Sequence, residues 1–410
     1  MQRPVPHKGP TNEVKRAPWP LLALNFFMAD IQAGIGPFLG VFLLAHGWDS
    51  GYIGTVMTVG GVAGMLMTTP AGAFIDQTHY KRAAVIVAGL CSVIASAVVL
   101  VSQTFWVIAL SQVGSAVAGA AIVPAVNAIT LGIVRQRGFN RQNGRNQAFN
   151  HAGNMVGAAL SGLAGWTFGY PAIFVLAAVF GTLSIASVFL IPADLIDYGA
   201  ARGLKEDEEG TKVSGYRVLI ECSPLMVLAA ALLAFHLGNA AMLPLYGMAV
   251  VKDAHANGPG FVALTVVVAQ ATMILASIIA WRLAEAKGYW LVMLISFIAL
   301  PIRGVVAAYL LVPWGVYPVQ ILDGVGAGLQ SVAVPGLVAR VLNGTGRINV
   351  GQGAVMTAQG IGASLSPALG GWIAQLFGYS SMFMTLGAFA TISIGLWIAF
   401  TSVLRPACGE

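Results

Sequence analysis

The sequence predicts an all-α integral membrane protein, with twelve transmembrane helices in two six-helix, pseudo-symmetric bundles. Three observations predict it. Hydrophobic residues make up 57% of the chain and charged residues only 9%. A soluble domain carries roughly 25% charged residues, so this chain cannot cover a water-facing surface. Twelve apolar segments run through it, each near the about 20 residues that a helix needs to cross a bilayer. Finally, 19 of the 21 Lys and Arg fall in the two tails and in alternate gaps between the segments. Hydrocarbon offers no partner to an open strand edge, so each segment reads as a helix. Basic residues in short loops resist translocation. The alternation therefore puts both termini in the cytoplasm and makes the number of spans even.

Span 1 (19–45) follows a tail that carries Arg3, Lys8, Lys15 and Arg16. It is over-long and holds Pro37, so tilt, a kink or a part outside the bilayer is expected. It is too long for a signal-peptide core, and no small-residue cleavage site follows it. Span 2 (51–75) contains Gly60-Gly61-x2-Gly64, which lets helices approach closely. Lys81 and Arg82 separate it from span 3 (83–102). Span 4 (105–134) ends at a gap bearing Arg135, Arg137, Arg141 and Arg145, ahead of span 5 (147–168) and span 6 (171–192). Residues 193–216 form the longest polar stretch, with Arg202, Lys212 and the run from Lys205 to Glu209. Such a charged run reads as a solvated linker. Span 7 (217–250) is again over-long and holds Pro244. Lys252 precedes span 8 (259–282), and Arg282 and Lys287 precede span 9 (288–312), where Pro301 is a further candidate kink. Span 10 (314–339) carries Gly324-x-Gly326-x-Gly328. Arg340 and Arg347 lead to span 11 (351–377), and span 12 (380–403) ends at a tail with Arg405. Trp19, Trp48, Trp106 and Trp314 sit near span ends as interfacial anchors. The resulting organisation is a cytoplasmic tail (1–18), a six-helix bundle (19–192), a cytoplasmic linker (193–216), a second six-helix bundle (217–403) and a cytoplasmic tail (404–410).

The two halves echo each other. Span 5 contains Gly157-Ala-Ala-Leu-Ser-Gly-Leu-Ala-Gly165, and span 11 contains Gly362-Ala-Ser-Leu-Ser-Pro-Ala-Leu-Gly370. Gln147 and Gln352 stand at the same spacing before these runs. Phe168-Gly169-Tyr170 and Phe377-Gly378-Tyr379 close them, with a short offset, and Val123-Pro124 in span 4 answers Val334-Pro335 in span 10. Generic small-residue membrane sequence does not keep motif order, so duplication is the better reading. Repeats of this kind build a site at the interface of two halves in many secondary transporters.

On these features the whole chain resembles the major facilitator superfamily, in particular its bacterial proton-coupled drug and metabolite exporters. The family's signature in loop 2–3 is Gly-x3-Asp-Arg-x-Gly-Arg-Lys/Arg. This loop reads Gly72-Ala-Phe-Ile-Asp76-Gln77-Thr-His79-Tyr80-Lys81-Arg82. Gly72, Asp76, Lys81 and Arg82 match, while Gln77 and His79 depart. The resemblance implies a cytoplasmic latch between the halves, with Asp76 accepting bonds from an opposing helix N-terminus and Lys81 and Arg82 at the lipid headgroups. Glu285-Ala-Lys287-Gly288 is a degenerate copy in loop 8–9. Leu322-Asp323-Gly324-Val-Gly326-Ala-Gly328 is similar to a pattern usual in span 4. There this chain has Ser111-Gln112-Val-Gly114, with Ala109 where many proton-coupled exporters carry Arg. Ser366-Pro367-x2-Gly370-Gly371 resembles the family's antiporter motif, displaced from span 5 to span 11.

Ionisable groups at membrane depth cost about 2.5–3.5 kcal/mol on insertion scales and face the protein interior. Asp30 in span 1, Arg303 in span 9 and Asp323 in span 10 are such groups. Arg303 and Asp323 lie at similar distances from the turn that joins their spans, so an ion pair is expected. It is either a structural tie or a pair that protonation of Asp323 breaks. Asp30 has no partner by spacing, and desolvation of a lone carboxylate favours reversible proton binding. The family resemblance puts spans 1 and 7 at the central cavity. Asn154, His236, Asn239, Tyr246, Gln270 and Gln359 are the substrate-cavity candidates. His151 joins Gln147 and Asn150 in a polar stripe on span 5.

No nucleotide-binding loop, His-Glu-x2-His or supported Ser/His/Asp set is present, so no enzyme activity and no cofactor is expected. Three scattered cysteines suggest neither disulfides nor a metal site. The basic residues line one membrane face, so the expected partners are a small solute, protons and the bilayer, not nucleic acid, and the chain is expected to be a monomer. The expectation is a multi-pass protein of the bacterial inner membrane, moving a solute by alternating access, with proton-coupled efflux favoured. The alternatives are proton-coupled uptake, or a transporter-fold receptor or assembly factor without transport.

Overall fold

The computed structural model describes residues 18–29, 35–197, 221–254, 257–342 and 348–409. Asp30, the linker beyond residue 197 with Arg202, Lys205 and Lys212, Arg217 at the start of span 7, the N-terminal basic residues and Arg347 lie outside the described residues. Among the described residues there is no β-strand. The helices are α1 (Pro18–Ala29), α2 (Ile35–Ala45), α3 (Ser50–Gln77), α4 (Lys81–Val101), α5 (Phe105–Phe168), α6 (Tyr170–Phe189), α7 (Ser223–Asn239), α8 (Met242–Ala254), α9 (Gly258–Tyr309), α10 (Val316–Val341), α11 (Ile348–Phe377), α12 (Tyr379–Ala399) and α13 (Thr401–Cys408).

Among the described residues, eight helical stretches are long and apolar enough to cross a membrane, and α1 and α2 are shorter apolar helices. Two long helices each contain a reversal. In α5 it falls at Arg135, with φ 53°; in α9 it falls at Gly288, with φ 70°. Each therefore supplies two antiparallel spans, and the helices accommodate twelve passes. Residues 136–146, expected as a loop, instead begin the second arm of α5. Gln142 donates to Asn146 (2.9 Å) and Asn146 to Thr130 (3.0 Å), fastening the second arm to the first. Arg135 is the one non-glycine with positive φ among the described residues. Its guanidinium pairs with Asp197 at 3.1 Å, which holds the chain after α6 against the turn.

Span 7 is over-long because it is two helices, broken at Ala240–Ala241; in span 1 the described residues are α1 and α2. Pro244 is not a mid-helix kink: it is the third residue of α8, where a missing N–H removes no intrahelical bond. Pro301 does lie inside a helix.

Small residues and side-chain packing, rather than water exclusion, hold membrane helices together. In the N-terminal half α1 packs on α5 and α6, and α3 and α4 on α5. In the C-terminal half α9 packs on α10 and α12, and α7 on α11 and α12. The halves meet through α3 with α11, α5 with α9, and α2 with α8. One buried apolar core joins both halves, through residues such as Phe42, Tyr246 and Phe383. A second, around Leu21, Ile75, Ile129 and Val188, belongs to the N-terminal half alone. Those four residues lie toward the basic end of their helices, whereas the N-terminal half's share of the joint core, such as Phe42, Ile53, Ile108 and Ile173, lies toward the other end.

Candidate functional site

Arg303 is set in the second arm of α9, two residues after Pro301. The turn Leu310–Gly315 folds α10 back antiparallel, which brings Asp323 to the same depth. The side chains are 1% and 13% exposed, and Arg303 Nη1 donates to Asp323 Oδ1 at 2.7 Å. The same nitrogen donates to Asn239 Oδ1 at 2.7 Å. Asn239 is the last residue of α7, so the break in span 7 places it there. Nη2 donates to Gln320 Oε1 at 3.4 Å. Arg303 Nε and Gln320 Nε2 are buried with no hydrogen-bond partner among the described residues. Asp323 is the one carboxylate that pairs with Arg303 among the described residues, and its removal leaves a buried charge that neutral amides do not neutralise.

A second polar cluster is built on the same helices. Gln330 Nε2 donates to Ser296 Oγ (2.9 Å), which donates to the Gly326 carbonyl (3.0 Å). His236 Nε2 is buried without a partner of hydrogen-bond geometry, and Gln330 is its polar neighbour. Gln320, Gln330 and Ser296 were not singled out in the sequence. Gln320 was recoverable, since it precedes Asp323 by three residues and so shares its helix face. Tyr246 differs from its expected place at a cavity. It is fully buried, with Phe383 against its ring. Its hydroxyl donates to the Leu310 carbonyl at 2.6 Å, fastening the turn between α9 and α10.

Gln270 and His151 meet across the halves, with His151 Nδ1 3.1 Å from Gln270 Oε1. Asn154 and Gln359 are half-buried on α5 and α11, apart from the Arg303 network. The remaining described interhalf bonds cluster at the end poor in basic residues. Tyr379 and Ser50 share a 2.7 Å bond, Gly51 N–H donates to Gln375 (3.0 Å), and Trp372 Nε1 donates to Thr55 (3.1 Å). The Ala368 N–H donates to Thr58 (2.9 Å). Gly54 lies on the Pro367 carbonyl and Gly371 on the Ser50 carbonyl, so neither position has room for a side chain. Farther along the two helices Met65 touches Gly360, but the positions of a Cβ on Gly72 and Gly353 meet nothing within 4 Å.

At the basic end, Gly72 and Asp76 are in the last turns of α3, and the Asp76 side chain is outside the described set. Lys81 is not at the headgroups as expected. It is fully buried, and its Nζ donates to the Ile75 carbonyl at 2.6 Å. The unsatisfied carbonyls at a helix C-terminus attract a cation, so Lys81 caps α3. Arg82 reaches the Phe189 carbonyl at 3.4 Å. Among the described residues no His/Cys/Asp/Glu cluster fit for a metal ion occurs.

These features are a two-half helical membrane protein with a buried charge network beside a broken span. The sequence model of the Major Facilitator Superfamily matches residues 21–349. The chain belongs to the Major Facilitator Superfamily. It is 38% identical over 379 residues to an uncharacterized MFS-type transporter of Mycobacterium tuberculosis, found in strains CDC 1551 / Oshkosh and ATCC 25618 / H37Rv. That match covers 92% of this chain and 90% of the relative. Among solved structures it resembles the nucleoside transporter NupG in a mutant form, with TM-score 0.77, 16% identity, and 94% and 99% of the two chains covered. It also resembles a bacterial homologue of the human lysosomal transporter Spinster, in an inward-facing and unoccupied conformation. There the TM-score is 0.75 at 15% identity, with 98% and 100% covered. At such identities the likeness is one of fold. As a major facilitator the protein is a multi-pass membrane transporter of small solutes and not an enzyme.

Proposed function

We propose that this major facilitator is a proton-coupled exporter of a small solute, and that Asp323 is the carboxylate that takes up the proton. The observation that carries this is the Arg303 network. Arg303 is almost wholly buried, and Asp323 is its charge partner. Protonating Asp323 leaves Arg303 with the neutral Asn239 and Gln320. A buried charge stripped of its partner costs about 3–5 kcal/mol, which is the scale needed to swing a two-state equilibrium. Asp30 is proposed as a second proton-linked group. Asn154, His151, Gln270 and Gln359 are proposed to face the solute, and His236 and Asn239 to transmit the state of the Arg303 network.

The interhalf bonds fit alternating access. They close the end poor in basic residues, and the charge rule puts that end outside. An exporter loads its solute in such a state, open toward the cytoplasm. The motif that resembles the antiporter signature lies on the same path. Ser366 Oγ accepts the Ala241 N–H at the break in span 7 (2.9 Å), and the next residue, Pro367, bears on Gly54 of the other half. A chain of contacts thus runs from Arg303 through Asn239 and Ser366 to the interface between the halves.

The test is proteoliposomes loaded with the pH dye pyranine and challenged with a panel of nucleosides, peptides and cationic dyes. At least one solute is expected to make the lumen more alkaline as it enters in exchange for protons, and Asp323→Asn to abolish that signal. A lumen that turns acidic would mean symport and overturn the direction. A signal untouched by Asp323→Asn overturns the assignment of the proton to Asp323, and silence across the panel counts against proton coupling. Asp30→Asn enters the same assay.

A further inference from the structure

The basic end of the C-terminal half holds a cavity of about 770 Å³ that takes no part in the proposed transport cycle. Its walls are the reversal at Gly288, the last turn of α10 and the short helix α13. α13 lies against α9 and α10, with Leu404 and Cys408 turned inward and Arg405 exposed. The Arg405 guanidinium stacks over the Trp290 ring at 4.6 Å. Gly409, at φ 94°, ends α13 directly against the Arg340 guanidinium, where a Cβ would meet it at 2.9 Å. Among the described residues, Lys287, Arg340 and Arg405 thus ring a space lined by one acid, Glu285.

A second observation concerns the wall itself. Trp290 Nε1 is buried and has no hydrogen-bond partner among the described residues. A buried donor without an acceptor is destabilising. The excess of basic over acidic side chains among the described lining residues, with an indole N–H buried in the wall, suits an acceptor-rich anion. The cavity also lies at the membrane edge, since gaps 8–9 and 10–11 and the C-terminal tail all contribute to it, and Trp281 in its rim is 53% exposed. By the charge rule this edge faces the cytoplasmic leaflet, where anionic lipids concentrate and basic pockets between helices take their headgroups.

We propose that this cavity binds the phosphate headgroup of an anionic phospholipid. Arg340, Arg405 and Lys287 neutralise the phosphate, and Trp290 Nε1 donates to one of its oxygens. The shared chemistry with free phosphate is the oxyanion; the lipid is favoured because the site opens where acyl chains can remain in the bilayer.

The test is native mass spectrometry of the delipidated, detergent-purified full chain titrated with cardiolipin or phosphatidylcholine. Cardiolipin is expected to bind the more tightly. The double variant R340A/R405A should weaken it roughly tenfold, from the loss of two cations near the lipid surface. Arg282→Ala removes a nearby exposed cation that does not line the cavity and is expected to leave binding unchanged. Trp290→Phe keeps the ring, removes the donor and should weaken binding severalfold, which gives a reading even if the double variant is unstable. Millimolar inorganic phosphate is expected not to displace the lipid. Equal cardiolipin binding by wild type, R340A/R405A and Trp290→Phe overturns the site. Displacement by inorganic phosphate overturns the lipid as its ligand.

Discussion

Arg303 sits where a lone charge has the least support, and its surroundings set what each substitution does. Asp323→Ala strands the guanidinium with Asn239 and Gln320, so a loss of about 3–5 kcal/mol is expected. R303A/D323A removes both charges and should cost less than the two single changes together. A coupling of about 1–3 kcal/mol is the expected result of a double-mutant cycle, read by thermal unfolding of the four proteins in detergent. Additive single losses would show that the pair does not hold charge in the folded state. This pair was legible in the sequence because one short turn fixes the relative depth of α9 and α10. Asn239 was picked out only as a cavity group, because no spacing argument ties α7 to Arg303. Lys81 was misplaced for a different reason. A basic residue after a span reads as a headgroup ligand unless the carbonyls of the preceding helix are near enough to take its ammonium, and Ile75 is.

Among the elements, α3 and α11 show most clearly how far the present packing extends. Gly54 meets Pro367, Gly61 meets Ser364 and Met65 meets Gly360, an antiparallel register kept over several turns. Extending it by seven residues along each helix sets Gly72 opposite Gly353, yet both have open space in place of a partner. The helices have parted before that point. Closure of the basic end would bring these two glycines together, and glycine is what such an approach needs. Gly353→Leu is therefore expected to leave thermal stability within about 0.5 kcal/mol and to block closure of the basic end. Gly54→Leu, aimed at the Pro367 carbonyl, should instead disrupt the present state. Spin labels on Phe74→Cys and Met356→Cys would report the separation of the basic ends in each variant. A short-distance population that persists with Gly353→Leu would refute the register. The break in span 7 was visible in the sequence only as excess length. The helicity of residues 136–146 was hidden, because four arginines in a short stretch look like a loop when the tie from Asn146 to Thr130 is not known.

For the molecule as a whole, the duplicated sequence becomes a duplicated joint. Gly169 and Gly378 hold the same left-handed turn, at φ 82° and 83°, which a side chain would strain. Each is followed by a tyrosine that reaches the opposite half at the start of that half's second span. The Tyr379 hydroxyl bonds Ser50 at the start of α3. The Tyr170 hydroxyl rests against Gly258 at the start of α9. Two copies of one turn thus close the same end of the molecule from both sides. The copies differ in chemistry, since the Tyr379 contact is a side-chain hydrogen bond and the Tyr170 contact is packing against glycine. Tyr379→Phe keeps the ring and removes a bond of about 1 kcal/mol, which corresponds to roughly a fivefold shift in a two-state population. Tyr170→Phe removes a hydroxyl that bears on backbone and should shift the population less. With the Phe74→Cys and Met356→Cys label pair, the Tyr379 variant is expected to enrich the conformer whose basic ends are close. Equal distance distributions in the two variants and the parent would mean that the contact at Ser50 does not bias the halves. The closed end would then rest on the Gly51–Gln375, Trp372–Thr55 and Ala368–Thr58 hydrogen bonds and on the Gly54–Pro367 and Gly371–Ser50 packing.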